Sequence, residues 1–170
     1  MGLLSNILFF PITGPVAGDT LAARLVAVWR DSDSQTDFVG ERRWTINPSL
    51  MWQAGPDTSL TLTGLVQDDN SGWTGQFLPY VSTIFAASNP NGALPWGRNL
   101  GEPSTGRVNL NTEWVLGQFA HRFSPAVQFR QNVRYEWFKS DQVLHYVDVY
   151  SGPTAPFADP SDPYLNLFFP

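Results

Sequence analysis

The sequence predicts an all-β fold, an antiparallel meander of about six or seven strands that forms part of a transmembrane β-barrel. Three observations support this prediction. Apolar and polar residues alternate along several segments, most clearly over residues 127–138, and this period of two gives a strand one apolar and one polar face. The segments run for about ten to twelve residues, which is enough to cross a bilayer when tilted. Short turns also alternate with long polar loops, as they do in outer-membrane barrels.

The boundaries of the strands come from the alternation and from the turn residues between them. Strands are predicted over residues 7–13, 21–30, 42–54, 59–69, 112–123, 127–138 and 142–150. Tight turns at 14–19, 55–58 and 124–125 contain residues that turns favour, and the asymmetry of outer-membrane barrels places them on the periplasmic side. Pro48 lies inside the third segment, and because proline cannot donate to a ladder it predicts an edge strand or a bulge.

The whole chain, residues 1–170, is interpreted as one partial barrel domain with three irregular segments. Residues 1–11 form an atypical N-terminus that lacks the basic region of a signal peptide. Residues 70–111 form a loop rich in Gly, Pro and Asn, which is longer than ordinary loops and is expected to be extracellular. Residues 151–170 are rich in Pro and Asp, and they predict an irregular tail.

Composition argues against several classes of function. The formal net charge of -5 argues against a nucleic-acid partner. The absence of cysteine excludes disulfides, thiol nucleophiles and thiolate metal sites. The 7 Trp, 12 Phe and 5 Tyr fit the aromatic girdles of a barrel with a polar lining, and they equally fit a sandwich that binds carbohydrate. No apolar run reaches the length of a membrane-spanning helix.

No group of residues has the spacing of a catalytic or metal site, so the chain is not expected to be an enzyme. The acidic loop that contains Asp31, Asp33 and Asp37 lacks the Gly and Glu that complete a calcium loop. His121 and His145 are too far apart in sequence to indicate a metal site. Zinc-protease, phosphate-binding and nucleophile motifs do not occur. No cofactor or metal is therefore expected.

Several segments resemble barrel segments of TonB-dependent siderophore receptors. In chain order they are Gly18–Val28, Asn47–Trp52, Asp57–Leu62, Gly72–Pro79, Asn89–Gly92, Leu100–Pro103, His121–Phe123 and Phe129–Tyr135. They occur in the order that such receptors show, and the resemblance covers residues 12–150. The resemblance implies a receptor in the cell outer membrane that captures a ferric siderophore and passes it inward with energy transmitted by TonB.

The resemblance also implies parts that this sequence does not show. No segment resembles the N-terminal plug or the TonB box of the family, and residues 1–10 depart from it. Large transporters of this type close at 22 strands, and the chain supplies about six or seven. The chain is therefore interpreted as a barrel fragment that is inactive alone. Its expected partners are a ferric siderophore, outer-membrane lipid and, in the full-length receptor, the TonB complex.

Seven residues are candidates for binding the siderophore, namely Trp73, Gln76, Phe77, Tyr80, Trp96, Arg130 and Arg134. The first five lie in the long loop, where the resemblance implies ligand contacts, although aromatic residues also pack loops onto their neighbours. The two arginines lie on the polar face of strand 127–138, where they could attract an anionic chelate or pair with carboxylates. For the loop residues, ligand binding and packing both stay open. For the arginines, attraction of a chelate and pairing with carboxylates both stay open.

Two other functions remain compatible with the alternating strands. One is a secreted, soluble β-sandwich that binds glycans through exposed aromatic side chains. The other is a small passive barrel in the outer membrane. On the favoured interpretation, one face of the strand at 127–138 meets lipid and the other lines a lumen. The lipid face is predicted to carry Phe129, Val133, Tyr135 and Trp137, and the lumen face Arg130, Asn132, Arg134 and Glu136.

Overall fold

The computed structural model describes residues 5–75, 83, 92–147 and 167–168, and most of them form one antiparallel sheet. Its six strands are neighbours in chain order, so the predicted meander is confirmed. They are β1 (Ser5–Ala17), β2 (Leu21–Asp33), β3 (Gly40–Gly55), β4 (Thr58–Ser71), β5 (Arg107–Ser124) and β6 (Val127–Val143). Two short strands, β7 (Tyr146–Val147) and β8 (Leu167–Phe168), pair with each other. The described residues include no helix long and apolar enough to cross a membrane.

The strands are longer than the alternation predicts, because ladder pairing continues past the apolar residues. The β4–β5 ladder extends to Ser71 and Val108, so the long loop is shorter than the predicted 70–111. The predicted strand at 142–150 is wrong in its bounds. Its first two residues continue β6, and a separate strand exists only at Tyr146–Val147. Residues 148–150 lie outside the described part.

The tail is regular in one place, where Leu167–Phe168 pairs with β7. The rest of residues 151–170 lies outside the described part, as does the start of the atypical N-terminus at residues 1–4. Residues that the sequence assigns to that N-terminus form most of β1, since Ser5 to Ile12 pair with β2. The turn predicted at 14–19 is confined to residues 18–20, because β1 continues to Ala17 through a bulge.

The register brings side chains of like polarity into the same rows across the sheet. Leu50 lies opposite Leu62, and Ile46 lies opposite Val66. One face is therefore mainly apolar over all six strands, although Glu113 of β5 also lies on it, opposite Val66 and Trp137. On the central strands this face carries Leu21, Ala23, Leu25, Ala27, Trp29, Trp44, Ile46, Leu50, Trp52, Leu60, Leu62, Val66, Val115 and Phe119. On β6 it carries Phe129, Gln131, Val133, Tyr135 and Trp137. The predicted division of β6 into an apolar and a polar face is thus present.

The border of the apolar face toward the long loop does not follow a single row of the register. Trp29 and Trp44 pair in one row, and the same row continues through polar residues to Lys139 on β6. On β6 the aromatic residue of this face nearest to Lys139 is Trp137, which lies in the next row, away from the long loop. On β5 the border lies still farther from the long loop, because Glu113 lies opposite Trp137 and Val115 is the first apolar residue of this face.

The sheet buries almost no apolar side chain within the chain. Among the described residues Val39 is the only buried apolar residue, with 4% of its surface exposed, and it lies in a loop. Apolar residues of the sheet face remain open, for example Trp52 at 49% and Val133 at 58%. A soluble sheet would bury such a face against a second layer.

Pro48 lies in β3, an interior strand, so the predicted edge or bulge at this residue is wrong. Its pairing with Leu25 of β2 is regular. On the β4 side, the pairing stops after Ile46 and resumes at Ser49, because the missing proline N–H leaves the Gly64 carbonyl without its ladder donor. The Asn47 side chain replaces it, since its Nδ2 donates to the Gly64 oxygen.

Candidate functional site

Charged side chains cluster on the polar face where β2, β3 and β4 reach the long loop. Arg30 Nη2 pairs with Glu41 Oε2 at 2.8 Å, and Arg43 Nε pairs with Asp69. Gln67 Nε2 donates to the second oxygen of Asp69 at 2.7 Å. We call Arg30, Glu41, Arg43 and Asp69 the rim cluster. It borders a depression of about 150 Å³ that also contains Ser71, Val108 and Leu110.

The rim cluster can recognise a polar ligand but has no catalytic arrangement. Its two guanidinium groups and two carboxylates balance in charge, and the side chains are partly open to solvent. Each guanidinium has five N–H donors and uses only some of them within the cluster. Arg30, for instance, spends Nε on Ser32 and Nη2 on Glu41. The remaining donors are available to the oxygens of a bound anion.

Sequence reasoning missed the rim cluster. The alternation shows that Arg43 and Asp69 lie on polar faces of their strands, but it does not show that they are partners. The pairing depends on the register of β3 with β4, in which Arg43 lies directly opposite Asp69. Opposite charges at facing positions stabilise a pair of strands. A pairing of Arg43 with Asp69 could therefore have been used to choose the register of β3 with β4.

The two predicted arginines of β6 have partners on the polar face. Arg134 Nη2 pairs with Glu136 Oε2 at 2.7 Å, and its guanidinium lies 4.8 Å from the ring centroid of Trp114. Arg130 Nη2 donates to Gln128 at 3.1 Å. The structure does not bring them to the rim cluster, because Arg134 lies six residues, roughly 20 Å, from the row that contains Asp69. Ligand binding by these arginines stays a prediction.

The predicted loop aromatics fall into two kinds. Trp73 is half-buried, and its Nε1 is buried without a hydrogen-bond partner in the described part of the chain. Trp96 is 93% exposed. Gln76, Phe77 and Tyr80 lie outside the described residues. Trp73 therefore packs within the loops, while Trp96 is open to a ligand or partner.

A second exposed aromatic, Phe38, lies in the β2–β3 loop, and sequence reasoning did not select it. Phe38 is 83% exposed and has a φ of 65°. The backbone N–H of Asp37, its neighbour, donates to the carbonyl of Gly97 at 2.6 Å, so the chain segments that carry the two aromatics are joined. No sequence motif marks this contact, because it joins residues 60 positions apart.

One titratable group in the loops is perturbed. The Ser104 hydroxyl donates to the Glu102 carboxylate at 2.6 Å and the Ser104 backbone N–H donates at 3.2 Å. These hydrogen bonds lower the pKa of Glu102 below its ordinary value, and the charge of His145 adds to the lowering. Among the residues that the structure covers, no group of His, Asp and Glu has the arrangement of a metal site.

The chain is similar in sequence to receptors for ferrioxamine and metal-pseudopaline, although no family model matches it. It is 32% identical to the ferrioxamine receptor of Yersinia enterocolitica over 117 residues, which is 67% of this chain and 15% of that receptor. It is 30% identical to the metal-pseudopaline receptor CntO of Pseudomonas aeruginosa over 119 residues, 70% of this chain and 16% of the receptor. The chain thus spans less than a fifth of the length of these relatives.

The sheet is also similar to part of solved receptor structures. The closed form of the ferric-catecholate import receptor Fiu from Escherichia coli K12 matches with a TM-score of 0.73 and 19% identity, over 85% of this chain and 22% of Fiu. The FpvAI receptor in its complex with pyocin S2 matches with a TM-score of 0.66 and 19% identity, over 85% of this chain and 19% of that chain. At these identities, the likeness shows the fold.

Proposed function

Because the chain belongs to the TonB-dependent siderophore receptors and matches part of their barrel, we propose that it forms six adjacent strands of the wall of an outer-membrane receptor for ferric siderophores. The observation that carries this proposal is the pair of opposite faces. One is mainly apolar across all six strands, and the other carries the rim cluster and the paired arginines. A membrane barrel needs both faces, with lipid on one side and a polar lumen on the other.

The height of the apolar face supports placement in a bilayer. Trp44 and Trp52 lie eight residues apart on β3, which is roughly 27 Å along the strand and roughly 21 Å along the normal at a tilt of about 40°. The apolar band of outer-membrane barrels is about 25 Å tall and has aromatic girdles at both borders. Trp29 and Trp44 form the girdle toward the long loop, and Trp52 belongs to the other.

The proposed role is transport without catalysis, and the ligand is an anionic ferric chelate. The rim cluster lies where the polar face reaches the loops, which is the extracellular end on this proposal. The guanidinium donors that the cluster leaves unused can bind the oxygens of a chelate. Trp96, which precedes the Gly97 contact with the β2–β3 loop, adds an exposed aromatic surface. Coupling to the TonB complex is proposed for the whole receptor, of which this chain forms part of the wall.

A chimeric receptor tests the proposal. Residues 12–143 replace the matching barrel segment of the Yersinia enterocolitica ferrioxamine receptor, and growth on ferrioxamine as the iron source is measured in a strain that lacks other ferrioxamine receptors. We expect the chimera to reach the outer membrane and to restore growth. A chimera that is made but never inserted would contradict the proposal.

Two matched variants of the chimera separate the faces. Leu62→Arg places a charge on the apolar face, and Thr63→Arg places the same charge on the polar face one residue away. Arginine facing lipid costs about 2–4 kcal/mol at mid-membrane and less toward the border, where Leu62 lies two residues from the row of Trp52, while a lumen position tolerates it. We expect Leu62→Arg to lower the amount in the outer membrane and Thr63→Arg to leave it unchanged; equal effects would contradict the assignment of faces.

A further inference from the structure

We propose that residues 92–106, which we call the outer strut, brace the loop end of the sheet from the β2–β3 loop to the end of β6, so that these loops move as one unit. The outer strut contacts residues 34–39 at one side and residues 144–145 at the other. These two anchor points belong to strands separated by β4 and β5. The inference goes beyond the proposed function, because it concerns mechanical coupling and not ligand chemistry.

The first anchor joins the outer strut to the β2–β3 loop through the backbone. The Asp37 N–H donates to the Gly97 carbonyl at 2.6 Å, and Asn99 Nδ2 donates to the Asp37 carbonyl at 3.3 Å. The approach is close enough to require glycine, since a Cβ on Gly97 would lie 2.7 Å from the Gln35 carbonyl oxygen. Asn99 Oδ1 also accepts from the Gly101 N–H at 2.8 Å, which links this anchor to the next.

The second anchor joins the outer strut to the residues that follow β6. A Cβ on Gly101 would lie 2.9 Å from the His145 carbonyl oxygen, so the two backbones are in direct contact. Thr105 Oγ1 lies 3.4 Å from His145 Nδ1. Within the outer strut, the Gly106 N–H donates to the Glu102 carbonyl at 2.7 Å. His145 itself is only 5% exposed.

Between the anchors lies the one solvent-excluded core found in the described part of the chain. Val39 from the β2–β3 loop is 4% exposed, and Gly72 is so close to it that an added Cβ would lie 3.2 Å from Val39 Cγ1. Trp73, His145 and Glu102 line the same small void of about 10 Å³. Residues from four separate chain segments thus share one packed cluster. Loosening any one of them exposes the others, which couples the loops.

The conformation of Phe38 is consistent with this bracing. Its positive φ is unfavourable for a bulky residue, and such strain persists where the surroundings hold the backbone in place. The hydrogen bonds of its neighbours do so: Val39 N–H donates to Thr36 O at 3.2 Å and Ser34 N–H donates to Val39 O at 2.9 Å. These bonds, together with the first anchor at Asp37, hold the backbone at Phe38 in place.

Hydrogen exchange of the full chain, folded in lipid nanodiscs, tests the coupling. Gly97→Ala disrupts only the first anchor, because the added methyl meets the Gln35 carbonyl. If the strut couples the loops, amides of residues 34–39 and of residues 144–147 exchange at least ten times faster in this variant. Gly40→Ala is the control, since its added Cβ meets nothing closer than 3.9 Å, and it should change neither region.

The converse variants complete the test. Gly101→Ala disrupts the second anchor, and Asn99→Ala removes two hydrogen bonds without adding atoms; each should also release both regions. Release confined to the region next to the substitution would overturn the proposal. Unchanged amide protection in β3 and β4 shows that the sheet is intact. If a glycine variant fails to fold, the exchange of both regions in Asn99→Ala still tests the coupling. If the chimeric receptor, which carries residues 12–143, fails to transport iron while residues 34–39 and 144–147 still respond together in the full chain, only the proposed function is contradicted.

Discussion

Phe38 has a backbone conformation that glycine adopts without cost, and its side chain gains little from packing. It has a φ of 65° and is 83% exposed. The left-handed conformation costs a residue with a Cβ about 1–2 kcal/mol. We expect Phe38→Gly to be more stable than Phe38→Ala by about 1 kcal/mol in urea unfolding of the micelle-folded chain, since both remove the ring and only glycine removes the strain.

The same pair of substitutions at a strand position provides the control. Phe138 lies in β6, is regularly paired with Thr112 of β5, and is also exposed. In a strand, glycine is less stable than alanine by about 0.5–1 kcal/mol, so the order should reverse at this position. If alanine were the more stable residue at both positions, the conformation assigned to Phe38 would be wrong.

The Glu102 carboxylate accepts two hydrogen bonds from Ser104, which depend on its being ionised. Its pKa lies below the ordinary value of 4.5, first because of the Ser104 hydroxyl. A carboxyl whose pKa is lower in the folded state than in the unfolded state stabilises the fold at pH values above its unfolded-state pKa. This stabilisation is lost as the pH falls through the folded-state pKa. We expect protection of the Ser104 amide, corrected for intrinsic exchange, to fall below about pH 4.5. In Glu102→Gln this pH dependence should disappear.

A matched carboxyl variant identifies the source of that acid effect. Glu113 lies on β5, away from the loops. Glu113→Gln should leave the pH dependence at Ser104 as it is in the unmodified chain. An equal response in both variants would show that Glu102 is not responsible.

At the scale of the strand, Asn47 and Pro48 act together. Pro48 removes one ladder donor from β3, and Asn47 Nδ2 donates to the Gly64 carbonyl in its place. Leaving a partly buried acceptor unsatisfied costs about 1–3 kcal/mol, so we expect Asn47→Ala to destabilise the folded chain by that amount in urea unfolding. Asn132, whose side chain has no hydrogen bond in the described part of the structure, should tolerate the same change.

A double-mutant cycle tests the cause. Pro48→Ala restores a backbone N–H that can donate to Gly64, which makes the Asn47 amide redundant. Asn47→Ala should therefore cost less in the Pro48→Ala background than in the natural sequence. Equal costs in both backgrounds would mean that Asn47 stabilises β3 in some other way.

The strands also show where prediction from alternation ends. Residues 127–138 alternate cleanly and predict that β6 begins at Val127, which the structure confirms. The pattern stops at Phe138, yet β6 continues to Val143, because β5 supplies ladder partners as far as Arg107. Hydrogen bonding to a neighbouring strand extends a strand beyond its amphipathic part. The strand's own residues do not predict this extension.

For the whole sheet, the assignment of faces can be tested with single cysteines, because the chain contains none of its own. On β6, Asn132→Cys and Arg134→Cys lie on the polar face, and Val133→Cys and Tyr135→Cys lie on the apolar face. In liposomes, a membrane-impermeant maleimide should label the first two at least ten times faster, because lipid covers the others. Labelling at equal rates on both faces would favour a soluble sheet.

The amino-acid sequence by itself determined the strand type, the order of the strands and the polarity of their two faces. Each depends on residues that are close in sequence, through the period of two and the turn residues. The tertiary structure alone decided that Arg43 meets Asp69 and that Gly97 meets Asp37. Those contacts join residues 26 and 60 positions apart, so they depend on strand register and on the path of a long loop. Local patterns constrain neither, since a contact between distant segments is selected by the packing of the whole sheet.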